Sequence, residues 1–219
     1  MTSAPLLPVE EAAKGLPSLE RVTWQAISSG LEAGSGSVVT FTAPEAGAGT
    51  TVIAASTGAS LARHLQLRVA LVEANLQRPF LATACGVEAR PGLSEVLLGA
   101  VPLEEAVQVP GALPGLSVLT AGAPREVAPG EFAGQAFADV LAHLSRTHDA
   151  VLVDAPPALE EPGTLALLRA SGSAVLVTRA RVSERQSVEE ARVLVESAGA
   201  RLLGAVLNRW RPELARGIG

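Results

Sequence analysis

Tyrosine is absent from this 219-residue chain, and lysine occurs once, at Lys14. The first absence excludes tyrosyl chemistry on the chain's own residues; the second leaves arginine as nearly the whole cationic inventory. Cysteine also occurs once, at Cys85. That excludes an internal disulfide and leaves no cysteine metal site. Aromatic residues make up only 3% of the chain, so its core must be aliphatic, built from Ala, Leu and Val. No apolar run approaches the roughly 20 residues needed to cross a bilayer. The net charge of −5 argues against a broad nucleic-acid surface. The opening "MTSAPLLPVEEAAKGLP" is acidic and Pro-rich, unlike a signal peptide. A soluble cytoplasmic protein with no nucleic-acid partner and no transmembrane segment is expected.

What is present has the rhythm of an α/β domain. Residues 1–17 read as a loose arm, and Leu19, Val22, Ala26, Ile27 and Leu31 recur at helical spacing. Six short apolar runs read as buried strands: 37–42, 67–74, 115–122, 148–157, 173–180 and 201–208. Between them, Thr51–Leu65 and Glu131–Thr147 read as helices, with smaller helical pieces at "LSEVLLG" and "LEEAV". The inner face of the second helix is Phe132, Phe137, Val140, Leu141 and Leu144. A further helix runs from Ser183 to Ala198, opened by a capping box of Ser183 with Gln186 and closed by Gly199. Wholly apolar strands alternating with helices predict one mostly parallel sheet covered on both faces. The expected layout is an arm at 1–17, one domain at 18–210 and a short tail at 211–219.

Ligands of such sheets sit beyond the C-terminal strand ends, and three loops there stand out. "TFTAPEAGAGTTVIAAST" runs from a strand through a glycine turn into a helix. Gly47 and Gly49 allow the backbone of Gly47, Ala48, Gly49, Thr50 and Thr51 to aim several N–H groups at one point, where the helix adds its positive end. A working phosphate loop adds a lysine and a magnesium-binding hydroxyl. Thr51 supplies the hydroxyl; Thr50 stands where the lysine would be. The second loop holds Glu73, Asn75, Gln77, Arg78 and Pro79. The third begins at Asp154 in "DAPP", a strand-end aspartate placed to orient magnesium and its waters or to cap the next helix.

In these motifs the sequence resembles the cytoplasmic domain of the bacterial tyrosine kinases, deviant Walker ATPases related to the ParA/MinD group. That family's motifs read T-S-P-E-P-G-E-G-K-S-T, D-A-D-L-R-R-P, P-G-L-S-D-V-L-x-G, Y-D-x-V-I-I-D-T-P-P and L-G-x-V-L-N. Here they are "TAPEAGAGTTV", "EANLQRP", "PGLSEVLLG", "HDAVLVDAPP" and "LGAVLN", spread from about Glu20 to Trp210. The resemblance implies a P-loop NTPase-like fold. It also implies that Thr51 and Asp154 would serve magnesium if nucleotide binds, and that Asn208 lies near the adenine. The departures fall on chemical positions. Thr50 replaces the loop lysine. Glu73 and Asn75 replace two aspartates that serve the metal and the hydroxyl being activated. A first-helix E-x-x-R-x-x-R used for ring assembly reads Glu20, Thr23, Ala26. The family's C-terminal tyrosine cluster has no counterpart in "RWRPELARGIG".

The resemblance therefore implies a degenerate, pseudokinase-like member: a docking or regulatory partner in exopolysaccharide or capsule synthesis and export. Its partner would be a polysaccharide co-polymerase-type inner-membrane protein or an active kinase of this family, with self-assembly into a ring not expected. Mg-ATP or Mg-ADP would be a weak ligand rather than a required cofactor. Two other readings stand beside it, an ATP-binding switch or weak ATPase of the ParA/MinD type, and a tyrosine kinase acting on a partner. Remaining features read plainly. His64, His143 and His148 have no ligand spacing, and Arg179, Arg181 and Arg185 read as a solvated face. Trp24 and Trp210 pack near the domain ends, and Cys85 packs as a small apolar residue.

Overall fold

The computed structural model describes residues 37–209 except 112, 127 and 129. The arm at 1–17 with Lys14, the first helix with Glu20, Thr23 and Ala26, both tryptophans and the tail at 211–219 lie outside the described residues. The described chain runs β1 (Ser37–Thr42), α1 (Thr50–His64), β2 (Val69–Glu73), and short helices α2 (Leu81–Cys85), α3 (Leu93–Leu97) and α4 (Leu103–Ala106). It continues through β3 (Val107–Gln108), β4 (Leu116–Leu119), a 3-10 turn at Glu131–Ala133, α5 (Gln135–Thr147) and β5 (Ala150–Asp154). It closes with α6 (Thr164–Ser171), β6 (Ser173–Arg179), α7 (Arg185–Ser197) and β7 (Arg201–Asn208).

The strands form one sheet in the order β3-β4-β2-β5-β1-β6-β7. Every pair is parallel except β3 with β4. Every residue of β2 and of β5 is buried, which is why these strands read as continuous apolar runs rather than alternating ones. Alternate side chains still divide between two layers. Leu71 and Leu152 join Val39 and Phe41 under α1, while Val72, Val151 and Val153 meet Phe137, Leu141 and Leu144 of α5. A third cluster joins Leu168 of α6, Leu176 of β6, and Ala191 and Val195 of α7.

Helix α1 is buried at every residue from Ile53 to Leu61, so it needs small side chains all round. A Cβ on Gly58 would stand 3.3 Å from Leu116 and 3.5 Å from Leu152. Ser56 and Thr57 satisfy their hydroxyls on the carbonyls four residues back, at 2.7 Å each.

Several sequence expectations need correction. The capping box of Ser183 with Gln186 does not form: helix α7 starts at Arg185 after Glu184, without a side-chain cap. Ser183 Oγ instead accepts from Arg179 N at 2.8 Å and donates to Glu45 Oε1. The helix expected from Glu131 is broken at Gly134, which is extended (ψ 162°). Glu131 there pairs with Arg125 and accepts from Ala128 N at 3.1 Å, holding a separate 3-10 turn. Helices α2 and α6 and strand β3 are additional elements, too short to show a period.

The register places the three loops together. Phe41 of β1 and Glu73 of β2 both lie opposite Asp154 of β5. The glycine turn, the 74–80 connection and the 155–163 connection therefore leave the sheet from neighbouring strands.

Candidate functional site

A cavity of about 290 Å³ opens where these three loops meet. Its wall includes Gly47, Gly49, Thr50 and Thr51 from the first loop, Asn75, Gln77 and Arg78 from the second, and Asp154, Glu160 and Glu161 from the third. Gly47 and Gly49 have φ of 82° and 92°, the left-handed region that an L side chain enters only at a cost. Gly49 is required for a second reason. A Cβ there would stand 2.4 Å from Asn208 Nδ2. That amide donates to the Ala48 carbonyl at 2.7 Å and so ties the end of β7 to the loop. Ala48 is buried and Asn208 half-buried; both act from behind the cavity wall.

Asp154 sits at the cavity floor and is 1% exposed. Burial pushes its carboxyl up to about 8; a hydrogen bond from Thr51 acts against this, and the neighbouring Glu73 charge reinforces it. Its Oδ2 is buried without a hydrogen-bond partner among the described residues. An orphaned carboxylate oxygen beside a hydroxyl is the donor pair that a hydrated magnesium ion takes, so Thr51 and Asp154 fit that metal. Among the described residues no cluster of three or more acidic, His or Cys side chains could hold a metal unaided. The metal would therefore have to share ligands with a phosphate or water.

The phosphate side fits less well. Thr50 lines the cavity without charge, and among the described residues Arg78 is the only lining cation. Glu45, Glu160 and Glu161 are on the same wall, and Glu160 Oε1 already accepts from the Ala46 N–H at 2.7 Å.

Glu73 does not reach the cavity. It is fully buried, and both oxygens are taken by backbone donors: Oε1 by Phe80 N (2.5 Å) and Leu81 N (2.7 Å), Oε2 by Ala121 N (3.0 Å). Desolvation raises its pKa, against those three hydrogen bonds. It caps α2 and anchors the exit of β4. Asn75 does line the cavity, but its Oδ1 accepts from Arg78 N, three residues on, at 3.2 Å and so holds the local turn. Cys85 is buried, its thiol pushed up to about 12 by burial and by the Glu73 and Asp154 charges. His148 bonds Ser117 at 2.9 Å, and burial lowers its pKa.

The residues missed by sequence reasoning are Glu160, Glu161 and Phe80. Only their position after a strand end hinted at them; the partners of Glu160 and Glu161, Ala46 and Gln77, lie far off in the chain.

No protein-family model matches the chain. Among curated proteins it is 26% identical over 183 residues to the tyrosine-protein kinase Ptk of Acinetobacter johnsonii, spanning 84% of this chain and 25% of that one. It is 31% identical over 142 residues to the tyrosine-protein kinase YwqD of Bacillus subtilis, spanning 64% of this chain and 59% of that one. The chain spans about a quarter of the length of the first curated relatives it matches. Among solved structures, the VpsO kinase domain superposes with a TM-score of 0.81 at 25% identity, covering 94% of this chain and 97% of that one. The Mg-ADP complex of the septum site-determining protein MinD from Pyrococcus horikoshii superposes at 0.69 with 23% identity, covering 80% of this chain and 71% of that one.

Proposed function

We propose that this chain, a homologue of the bacterial tyrosine kinases on a P-loop NTPase-like fold, is a kinase-like domain that does not transfer phosphate. It works as a docking or regulatory partner in exopolysaccharide or capsule synthesis and export. The observation that carries the reading is the cavity wall: its loop turns as an anion nest does, but Thr50 stands in place of the cation and the Glu160 carboxylate sits on the Ala46 amide just before the nest. Phosphoryl transfer is nearly all positioning and charge stabilisation. Removing one charged clamp from such a site lowers the rate on the order of a thousandfold. Glu73, at a position where the resembling family serves the metal and hydroxyl, is spent on three backbone N–H groups. The 219 residues contain no tyrosine to accept phosphate.

The partner is a polysaccharide co-polymerase-type inner-membrane protein or an active tyrosine kinase of the same system, which would hold the domain at the cytoplasmic face of that membrane. No helix among the described residues is long and apolar enough to cross a membrane itself. The test is incubation with labelled ATP, magnesium and a tyrosine-bearing partner domain. No label above background is expected, and transfer at a rate normal for an active kinase overturns the reading.

One observation favours a second reading, a nucleotide-gated switch: Asp154 Oδ2 is orphaned beside Thr51. Calorimetric titration with Mg-ATP separates the two. Saturation at micromolar concentration supports the switch, and no heat up to millimolar supports the docking module.

A further inference from the structure

We propose that the cavity is the receptor for an arginine side chain of the partner protein, held by carboxylates of the first and third loops. The inference rests on the docking reading above and names the chemistry of the partner's contact. Four carboxylates line the cavity: Glu45, Asp154, Glu160 and Glu161. Among the described residues none of them pairs with a cation, although Arg78 stands on the same wall. Elsewhere arginines do find acids, as Arg68 finds Asp149 and Arg125 finds Glu131. Glu160 and Glu161 have only neutral donors, the Ala46 N–H at 2.7 Å and the Gln77 amide at 3.2 Å.

Clustered acids alone would be a solvated face. A second observation is independent of their charge. Among the described residues, the buried side-chain polar atoms without a hydrogen-bond partner are Glu45 Oε2 and Asp154 Oδ2, and both residues belong to this wall. Asp154 is 1% exposed, so bulk water does not make up the deficit. Both oxygens lack a donor, and a donor that also brings positive charge satisfies a carboxylate best. Thr50, where the resembling family has lysine, supplies no cation from within the loop. A guanidinium fits better than an ammonium. Its five N–H donors form a flat fork that serves oxygens of two loops at once, and its weaker hydration lowers the desolvation cost. A polyphosphate would instead set further negative charge against three glutamates. The volume of about 290 Å³ is at the small end of ligand cavities, room for one long side chain rather than a folded segment.

The test follows the backbone amides of residues 47–51 and Ala155 by NMR in the isotope-labelled full chain. The probes are an end-blocked glycine peptide carrying two arginines, its lysine and citrulline counterparts, and inorganic pyrophosphate. The arginine peptide is expected to saturate with a Kd near or below about 1 mM, the lysine peptide to bind more weakly, and the neutral citrulline peptide not to bind. Asp154→Asn is expected to weaken the arginine peptide about tenfold and Glu161→Gln about threefold. Glu190→Gln, an exposed acid on α7 that does not line the cavity, is expected to change it by less than about twofold. No shift of these amides by the arginine peptide overturns the proposal. So does equal binding of the lysine or citrulline peptide, an equal loss on Glu190→Gln and Glu161→Gln, or a response to pyrophosphate alone. Label transfer to a tyrosine-bearing partner overturns the non-catalytic reading alone, and the peptide titration decides this proposal in either case.

Discussion

Glu73 and Asp154 lie opposite each other at the ends of β2 and β5, 0% and 1% exposed, yet the structure treats them differently. Glu73 gives both oxygens to backbone N–H groups of three residues. Asp154 keeps one oxygen without a partner and faces the cavity. Burial disfavours the charge of both. Only at Glu73 do backbone donors oppose it, at both oxygens. A buried acid that is fully bonded holds the fold, and one left short of partners marks where a ligand would complete the set.

The largest expected effect is from Glu73→Ala, which strands the amides of Phe80, Leu81 and Ala121. A loss of about 3–5 kcal/mol is expected in urea denaturation, and a loss under about 1 kcal/mol would break the comparison. Asp154→Asn is expected to act in the opposite sense. The folded-state carboxyl titrates near 8, against an ordinary value of 3.8. Between those values the folded chain holds a proton that the unfolded chain releases. The contribution of Asp154 to stability is therefore full below pH 4 and is lost as pH rises toward 8. The asparagine variant lacks that loss, and thermal melts at pH 8 are expected to show it about 2 kcal/mol or more above wild type. A steeper fall for the variant would refute the assignment.

Smaller effects sharpen the contrast at the loop itself. Gly49→Ala forces a side chain into φ 92° and against Asn208, at an expected cost of about 1–2 kcal/mol. Asn208→Ala frees the Ala48 carbonyl and is expected to cost about 1 kcal/mol, read from the same denaturation curves.

Much of the frame was legible beforehand. The strand at 37–42 and the one at 201–208 have the expected bounds, because apolar runs end at turns; the second, expected to be buried, is instead an edge strand with no buried residue, since among the described residues only β6 flanks it. The glycine turn was legible as well, since few residues besides glycine adopt two positive φ values so close together. The partners of the polar residues were not. Ser183 followed by Gln186 has the spacing of a cap, but Glu45, 138 residues away, claims the hydroxyl. Glu73 has the chemistry of a metal ligand, but Ala121, 48 residues on, claims one of its oxygens.

From its residues alone this chain was committed to a parallel α/β sheet with a glycine loop beside a strand-end aspartate and no lysine on that loop. Those features depend on backbone sterics and on the spacing of apolar side chains, which are local. Which carboxylate would be consumed by backbone amides, which would stay open, and which would reach back to Ala46 was decided only on folding. Hydrogen bonds across a sheet end join groups that chain distance does not relate, and burial sets the free energy of leaving any of them unmade.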